Sequence, residues 1–417
     1  MIYLDYAAAT PVDTKVAKTI ASCEKRFFAN SSAIHALGVE AKKIENDART
    51  KIAMLINAHS DEIIFTGSGT ESNALAILGV LNNYREKNKH ESIPHIITTT
   101  IEHPAVLENC KMLEREGKAE VTYVPVNEFG VVDPREIKEA LKENTVLVSV
   151  MYANNEIGTI QPIQEIAKVI RHFNKMQSAE KKATVLFHTD ACQAMNYLFT
   201  ENIEKLGVDL LSFNSSKIYG PKGLGVLFKK RGVTLAPIYS GGRQEFGLRS
   251  GTENVAGIAG LAEAFEITCA MKEKESVRLT KIRDYGIEKL LALSQNFPET
   301  SKNEASYKII LNGDKVNRLP NNINISISGI SSELLVIELS AKGIMVSSKS
   351  ACKSDDPDES YVISALRYAQ GSTPDPTSGS LRISLGRETR KSDMEILANV
   401  LKSILEKYKN LTPVLYL

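Results

Sequence analysis

Tryptophan is absent from the 417-residue chain, and so is any Cys-x-x-Cys pair. The five cysteines, Cys23, Cys110, Cys192, Cys269 and Cys352, are scattered and odd in number. That excludes the paired spacing of a zinc ribbon and the dense even set of a disulfide-stapled domain. No metal site is read from them, and all five thiols are expected to be free. Neither charge is in excess: 51 Lys and Arg face 50 Asp and Glu. A chain so balanced lacks the electrostatic grip that bulk nucleic acid or an anionic membrane requires. No apolar run reaches the roughly 18 residues of a spanning helix. The opening Met1-Ile2-Tyr3-Leu4-Asp5-Tyr6 has neither the basic start and apolar run of a secretory signal nor an arginine-rich presequence. A cytoplasmic location is therefore expected, with no membrane partner and no direct nucleic-acid partner.

What is present is alternation. Short runs rich in β-branched or aromatic residues at 62–66, 95–99, 121–125, 146–151, 185–189, 210–214 and 225–228 predict strands. Helical patterns lie between them, one with Pro162 in its first turn and Ile163, Ile166, Ala167, Ile170 and Phe173 on a single stripe. This is the pattern of an α/β fold with a mostly parallel central sheet covered on both faces. Beyond about residue 260 the character changes. A long charged helix over 261–297 precedes strands at 307–311 and 322–327, a helix near 333–342 and a closing helix over 392–405. The stretch 367–380, rich in Pro, Gly and Ser, reads as a mobile loop. The organisation expected is a large cofactor-binding domain over 13–260, and a smaller α+β domain built from 1–12 and 261–417.

Three motifs in the first part combine. Phe65-Thr66-Gly67-Ser68-Gly69-Thr70-Glu71-Ser72 runs a strand through glycines into a helix, whose N-terminus suits a phosphate or an ordinary cap. It lacks the Gly-Lys-Ser/Thr ending of a Walker loop. His188-Thr189-Asp190-Ala191-Cys192-Gln193 puts a carboxylate at a strand end, as a helix cap or facing the ligand crevice of a parallel sheet. Asn214-Ser215-Ser216-Lys217-Ile218-Tyr219-Gly220 delivers a lysine onto a tight turn. Each is weak alone. Together they supply the Schiff-base lysine, the acid for a pyridinium nitrogen and the phosphate cup that a pyridoxal phosphate (PLP) site needs. His103, just after a strand, is placed to act as acid/base or to lie against an aromatic cofactor. Among the cysteines, Cys352 is the outlier. It sits in a small polar loop between Lys349 and Lys353, where an ammonium favours the nucleophilic thiolate.

These motifs, with Tyr3-Leu4-Asp5-Tyr6-Ala7-Ala8, Asn154-Asn155-Glu156-Ile157-Gly158, Leu248-Arg249-Ser250-Gly251-Thr252-Glu253-Asn254, Ser350-Ala351-Cys352 and Leu381-Arg382-Ile383-Ser384-Leu385-Gly386-Arg387, resemble the PLP-dependent cysteine desulfurases of the nitrogen-fixation and iron–sulfur-cluster type, nearly end to end. The resemblance implies a fold-type-I transferase and a homodimer. It implies that Lys217 holds PLP as a Schiff base, Asp190 pairs with the ring nitrogen, Gln193 bonds the ring hydroxyl and His103 stacks on the ring and shuttles protons. Gly69 and Thr70 would bind the phosphate, with Thr252 reaching in from the other subunit. Arg382 would clamp the carboxylate of L-cysteine, assisted by Asn155, and Cys352 would take the sulfur as a persulfide and pass it to an acceptor protein. The chain departs from the family at Ser216, where a His is usual, so Asn214 and Ser216 are expected to hydrogen-bond the phosphate instead. Lys349 stands beside the Cys where Gly is usual, and Asp355, Asp356, Asp358 and Glu359 make the following segment acidic. The acceptor is expected to serve an iron–sulfur cluster or sulfur modification of tRNA or DNA, and these changes suggest a specialised branch of the second kind rather than general cluster assembly. Two rivals remain: a selenocysteine lyase or other PLP lyase of the same fold, and a sulfur-carrier scaffold with impaired catalysis.

Overall fold

A computed structural model describes residues 1–87, 93–178, 184–198, 200–297, 307–348, 360–373 and 379–409. The strands are β1 (Ile2–Tyr3), β2 (Ile63–Thr66), β3 (His95–Thr99), β4 (Glu120–Val124), β5 (Thr145–Ser149), β6 (Leu186–Asp190), β7 (Leu210–Asn214), β8 (Gly225–Lys229), β9 (Ile309–Leu311), β10 (Asn322–Ile327), β11 (Ile344–Met345) and β12 (Gly379–Ser384). The helices are α1 (Thr14–Arg26), α2 (Ala36–Leu55), α3 (Gly69–Lys87), α4 (Pro104–Arg115), α5 (Pro134–Ala140), α6 (Ile163–Ser178), α7 (Ile203–Leu206), α8 (Val255–Ala292), α9 (Ser332–Ala341), α10 (Tyr361–Ala369) and α11 (Lys391–Lys409).

The central sheet has seven strands in the order β2-β8-β7-β6-β5-β3-β4. Pairings from β7 through β6, β5 and β3 to β4 are parallel, and β8 runs antiparallel to both β7 and β2. Every residue of β2, β3 and β5 is buried, the mark of strands covered on both faces. One face packs Ile97, Val148, Phe187 and Phe213 into a core shared with Ile166, Ile258 and Phe265, and the other packs Ile96, Leu147 and Leu210 against Leu75, Ile77 and Val106.

A smaller antiparallel sheet, β12-β10-β9, has its own core of Ile323, Ile325, Leu381, Ile383, Leu335 and Leu397. The 38-residue α8 passes from one core to the other: Leu261 and Phe265 belong to the first, Leu279 and Leu290 to the second. The change of domain expected at residue 260 thus falls inside a helix. α10 packs Val362, Ile363 and Leu366 into the first core. No helix among the described residues is long and apolar enough to cross a membrane.

The expectation of a loop over 367–380 is corrected at both ends. Residues 367–369 finish α10 and 379–380 begin β12, while 374–378 lie outside the described residues. Apolar residues preceding the Pro/Gly/Ser stretch carry the helix into it. The long charged helix starts at Val255 rather than 261, because Asn254 caps it by accepting from Gly257 N–H.

His188 shows how tightly the sheet centre is closed. It is fully buried on β6, with Nδ1 bonded to Ser149 Oγ of β5 at 2.8 Å and Nε2 to Ser212 Oγ of β7 at 3.0 Å. Burial pushes its pKa down to about 4. The unfolded chain takes up the proton near pH 6.5, so the stabilisation is complete above that value and is lost as pH falls toward 4. The stability cost of His188→Asn is expected to shrink by about 3 kcal/mol between roughly pH 7.5 and pH 4. Urea unfolding of both proteins across that range measures it, and a pH-independent difference contradicts it.

Candidate active site

The sheet order gathers the site. β7, β6, β5 and β3 are successive neighbours, and their C-terminal ends lead into Lys217, Asp190, Asn155 and His103 respectively. Ligands of parallel sheets bind in this crevice. Gly69, Thr70, His103, Asn155, Asp190, Gln193, Asn214, Lys217 and Arg382 all line one cavity. Ala7, Ala8, Asn73, Met151, Ala153 and Cys192 complete its wall.

Lys217 ends a short 3-10 turn, Ser215–Lys217, directly after β7. Its Nζ donates to the Ala8 carbonyl, and its own carbonyl accepts from Asn196 Nδ2. Tyr219, two residues on, has a φ of 63°. It is held there by its N–H to Thr10 Oγ1 at 2.8 Å, and Arg387 stacks 3.8 Å from its ring centroid. The turn that presents the lysine is therefore gripped from the N-terminal segment by Thr10 and from beyond β12 by Arg387.

Asp190 Oδ2 accepts from Asn73 Nδ2 at 2.7 Å, and Oδ1 accepts from the Cys192 N–H at 2.9 Å. Glu102, one residue before His103, is wholly buried, and burial pushes it up to about 8 although Met151 N–H and Thr99 Oγ1 both donate to its Oε1. Burial thus disfavours its ionised form, and Asp190 is the carboxylate among the cavity-lining residues.

His103 caps α4, with Nδ1 accepting from Ala105 N–H at 3.1 Å and Pro104 occupying the first turn. In the neutral ring the proton then resides on Nε2. Burial lowers its pKa; Asp190 opposes this, and Lys217 and Arg382 add to it. A neutral imidazole with a defined tautomer can exchange protons near neutral pH.

At the start of α3, a side chain at Gly69 would bring its Cβ to 2.9 Å from both Asn214 Nδ2 and Cys192 Sγ. Glycine alone lets the first turn of α3 sit so close to them. The free N–H groups of that turn, Thr70 and the Asn214 amide form a cradle for an anion. Ser216 does not line the cavity; its Oγ donates to Asn214 Oδ1 at 3.4 Å. Gln193 faces in, its Nε2 donating to Ala7 O at 3.0 Å.

Arg382, on β12, is 2% exposed and lies opposite Asn324 of β10. Its Nη2 donates to Asp5 Oδ1 at 2.9 Å and its Nη1 to the Asn155 carbonyl at 3.2 Å. Its Nε and Asn155 Oδ1 are buried with no partner among the described residues. A buried guanidinium with an unused N–H is suited to a ligand carboxylate. The Asn155 turn is held by Asn322 and Asn324, whose Nδ2 atoms donate to Glu156 O at 3.0 and 3.1 Å.

The residues thus fit pyridoxal phosphate: a lysine, a carboxylate on neutral donors, a histidine and an anion cradle share one cavity, beside an unsatisfied arginine. Thr252 is exposed and does not line this cavity. Cys352 lies outside the described residues. Asn73, which looks like any polar helix position, and Cys192, which follows closely behind Asp190, join the cavity wall without a sequence pattern of their own. The four described thiols, Cys23, Cys110, Cys192 and Cys269, are all pushed up by burial, Cys110 to about 12 and Cys269 to about 11.

The aminotransferase class-V family model matches residues 2–397. A cysteine desulfurase IscS of Dictyoglomus turgidum is 42% identical over 412 residues, covering 99% of this chain and 96% of the relative. A solved NifS-like protein superposes with a TM-score of 0.83 at 32% identity, over 97% of this chain and 99% of its own. SspA, solved in complex with cysteine, gives a TM-score of 0.73 at 30% identity, over 92% and 99%. The geometry, the family model and full-length relatives agree: this chain belongs to the class-V aminotransferases and, within them, to the cysteine desulfurases.

Proposed function

We propose that the chain removes sulfur from L-cysteine, giving L-alanine and a persulfide on Cys352 that is handed to an acceptor protein. The observation that carries the reading is the convergence of Lys217, His103, Asp190 and the Arg382–Asn155 clamp on one cavity. The family is PLP-dependent, and the bound cofactor supplies an electron sink for the pair left when the substrate Cα–H bond breaks. Lys217, Asp190, Gln193, Asn214, Gly69 and Thr70 would hold it, with Ser216 steadying Asn214.

The chain's own residues do the rest. Arg382, using Nε beside its existing bonds, holds the substrate carboxylate, and Asn155 orients it. Lys217 Nζ takes the Cα proton. His103 exchanges a proton with the substrate through Nε2. The Cys352 thiolate attacks the substrate sulfur: an S–S bond forms, the Cβ–S bond breaks with its electron pair going to Cβ, Cβ gains a proton, and Lys217 returns the proton to Cα to give alanine. Burial leaves Cys23, Cys110, Cys192 and Cys269 as protonated thiols, which supports assigning this step to Cys352.

The stems on either side of Cys352 give further support. Ser347 exchanges backbone hydrogen bonds with Arg382, 2.7 and 3.1 Å long, and five residues of chain reach no more than about 18 Å. On the other side Ser360 Oγ donates to Glu156 Oε2 at 2.5 Å, and Tyr361 Oη donates to Glu102 O at 2.6 Å. Both stems are thus fastened to the segments that carry Arg382, Asn155 and His103. A homodimer would place exposed Thr252 at the partner's phosphate cup.

The test is incubation of the purified protein with L-cysteine and dithiothreitol. Alanine and sulfide are expected in equal amounts. Absence of both from protein that carries PLP refutes the reading, and a faster reaction on selenocysteine would reassign it to a selenocysteine lyase. Arg382→Lys keeps the charge but loses the planar fork, so kcat/KM for L-cysteine should fall roughly 10–100-fold. An unchanged kcat/KM would remove Arg382 from the clamp.

A further inference from the structure

Helix α3 touches the cavity twice. Its first turn, at Gly69 and Thr70, forms the phosphate cradle. One turn later Asn73 reaches the opposite feature, the Asp190 carboxylate. Asn73 is 1% exposed, and its Nδ2 lies 2.7 Å from Asp190 Oδ2. Only the nitrogen end of an amide can face a carboxylate, so the orientation is fixed by chemistry. It leaves Asn73 Oδ1 buried with no partner among the described residues. A buried amide that gives up one hydrogen bond to make another is placed for the bond it keeps.

The kind of donor matters as much as its position. Asp190 is held on one oxygen by Asn73 and on the other by the Cys192 N–H, both neutral. A lysine or arginine in either place would neutralise the carboxylate and compete for it. Neutral donors fix its direction and leave its charge for a cationic ring N–H. Because Gly69 and Asn73 share one helix, four residues of rise, about 6 Å, set the spacing between phosphate cradle and ring-nitrogen partner.

We propose that Asn73 is the positioning residue that aims Asp190 at the ring nitrogen of the cofactor. This rests on the reading that Asp190 meets that nitrogen. The test uses the full-length protein freed of cofactor, titrated with PLP and with the analogue whose ring nitrogen is replaced by C–H, binding being followed by absorbance. Asn73→Leu should weaken PLP roughly tenfold and the analogue by no more than about twofold, so the preference for PLP shrinks. Asn73→Ser, too short to reach Asp190, should give the same loss of preference. The preference is a ratio measured on one protein preparation, so a misfolded fraction cancels. Equal weakening of both ligands in both variants would make Asn73 a packing residue and overturn the proposal. Asp190→Ala separates the two readings. If it leaves the preference unchanged, the Asp190 reading itself fails; if it abolishes the preference while the Asn73 variants keep it, only the Asn73 proposal fails.

Discussion

Cys352→Ala protein is expected to keep the visible colour of its cofactor and to make no alanine from L-cysteine beyond a single turnover. Breaking the Cβ–S bond to give alanine needs a sulfur nucleophile to accept the substrate sulfur. The four other thiols are pushed up by burial, Cys192 among them although it lines the cavity. A thiol held protonated is a poor nucleophile. Cys192 is further restrained by its place against Gly69 and Asp190, where the carboxylate raises its pKa as well. The residues that hold cofactor and substrate are untouched by the substitution, so binding should persist while turnover stops. Alanine assayed against time, beside an absorbance spectrum, measures this. Full multiple-turnover activity with an unchanged spectrum would move the nucleophile elsewhere.

The second large effect is expected at Lys217. In the mechanism proposed above, replacing it with Ala removes both the covalent attachment of the cofactor and the base that takes the Cα proton. General-base removal alone costs roughly 10²–10⁴-fold, and kcat should fall by at least that much. Cofactor should also leave on gel filtration, whereas it stays with the wild type. Added methylamine should restore part of the rate, because a free amine can take the proton that Lys217 takes. The fold should survive: the turn is gripped by Thr10 and Arg387 through Tyr219 and the backbone, not through the lysine side chain. A variant that retains cofactor through gel filtration and most of its activity would rule out the assigned role.

Much of this was legible in the sequence, for identifiable reasons. β3, β7 and β10 fall where their apolar and β-branched residues predict them: Ile96 and Ile97 in β3, Leu210, Leu211 and Phe213 in β7, and the alternating Ile323, Ile325 and Ile327 in β10. The cavity-lining segments were legible because glycine, lysine and carboxylate at strand ends are chemically conspicuous. α10 was hidden by composition. Tyr361-Val362-Ile363-Ser364-Ala365-Leu366 runs straight into a Gly- and Pro-containing stretch, and its burial depends on a core supplied by distant residues. Asn73 was hidden for a different reason. A polar residue on an amphipathic helix reads as solvent-facing unless a carboxylate 117 positions later is known to lie against it. The Arg382–Asp5 and Arg382–Asn155 contacts join the two ends of the chain to its middle, which no local pattern reports.

The most direct measurement is of the sulfur itself. Protein carrying its cofactor, given one equivalent of L-cysteine without reductant and then analysed by intact and peptide mass spectrometry, should gain the mass of one sulfur atom on the peptide holding Cys352. Dithiothreitol should remove that mass, and one alanine should appear per chain. Alanine formed with no added sulfur, or with the added sulfur on any of the other four cysteines, would contradict the account.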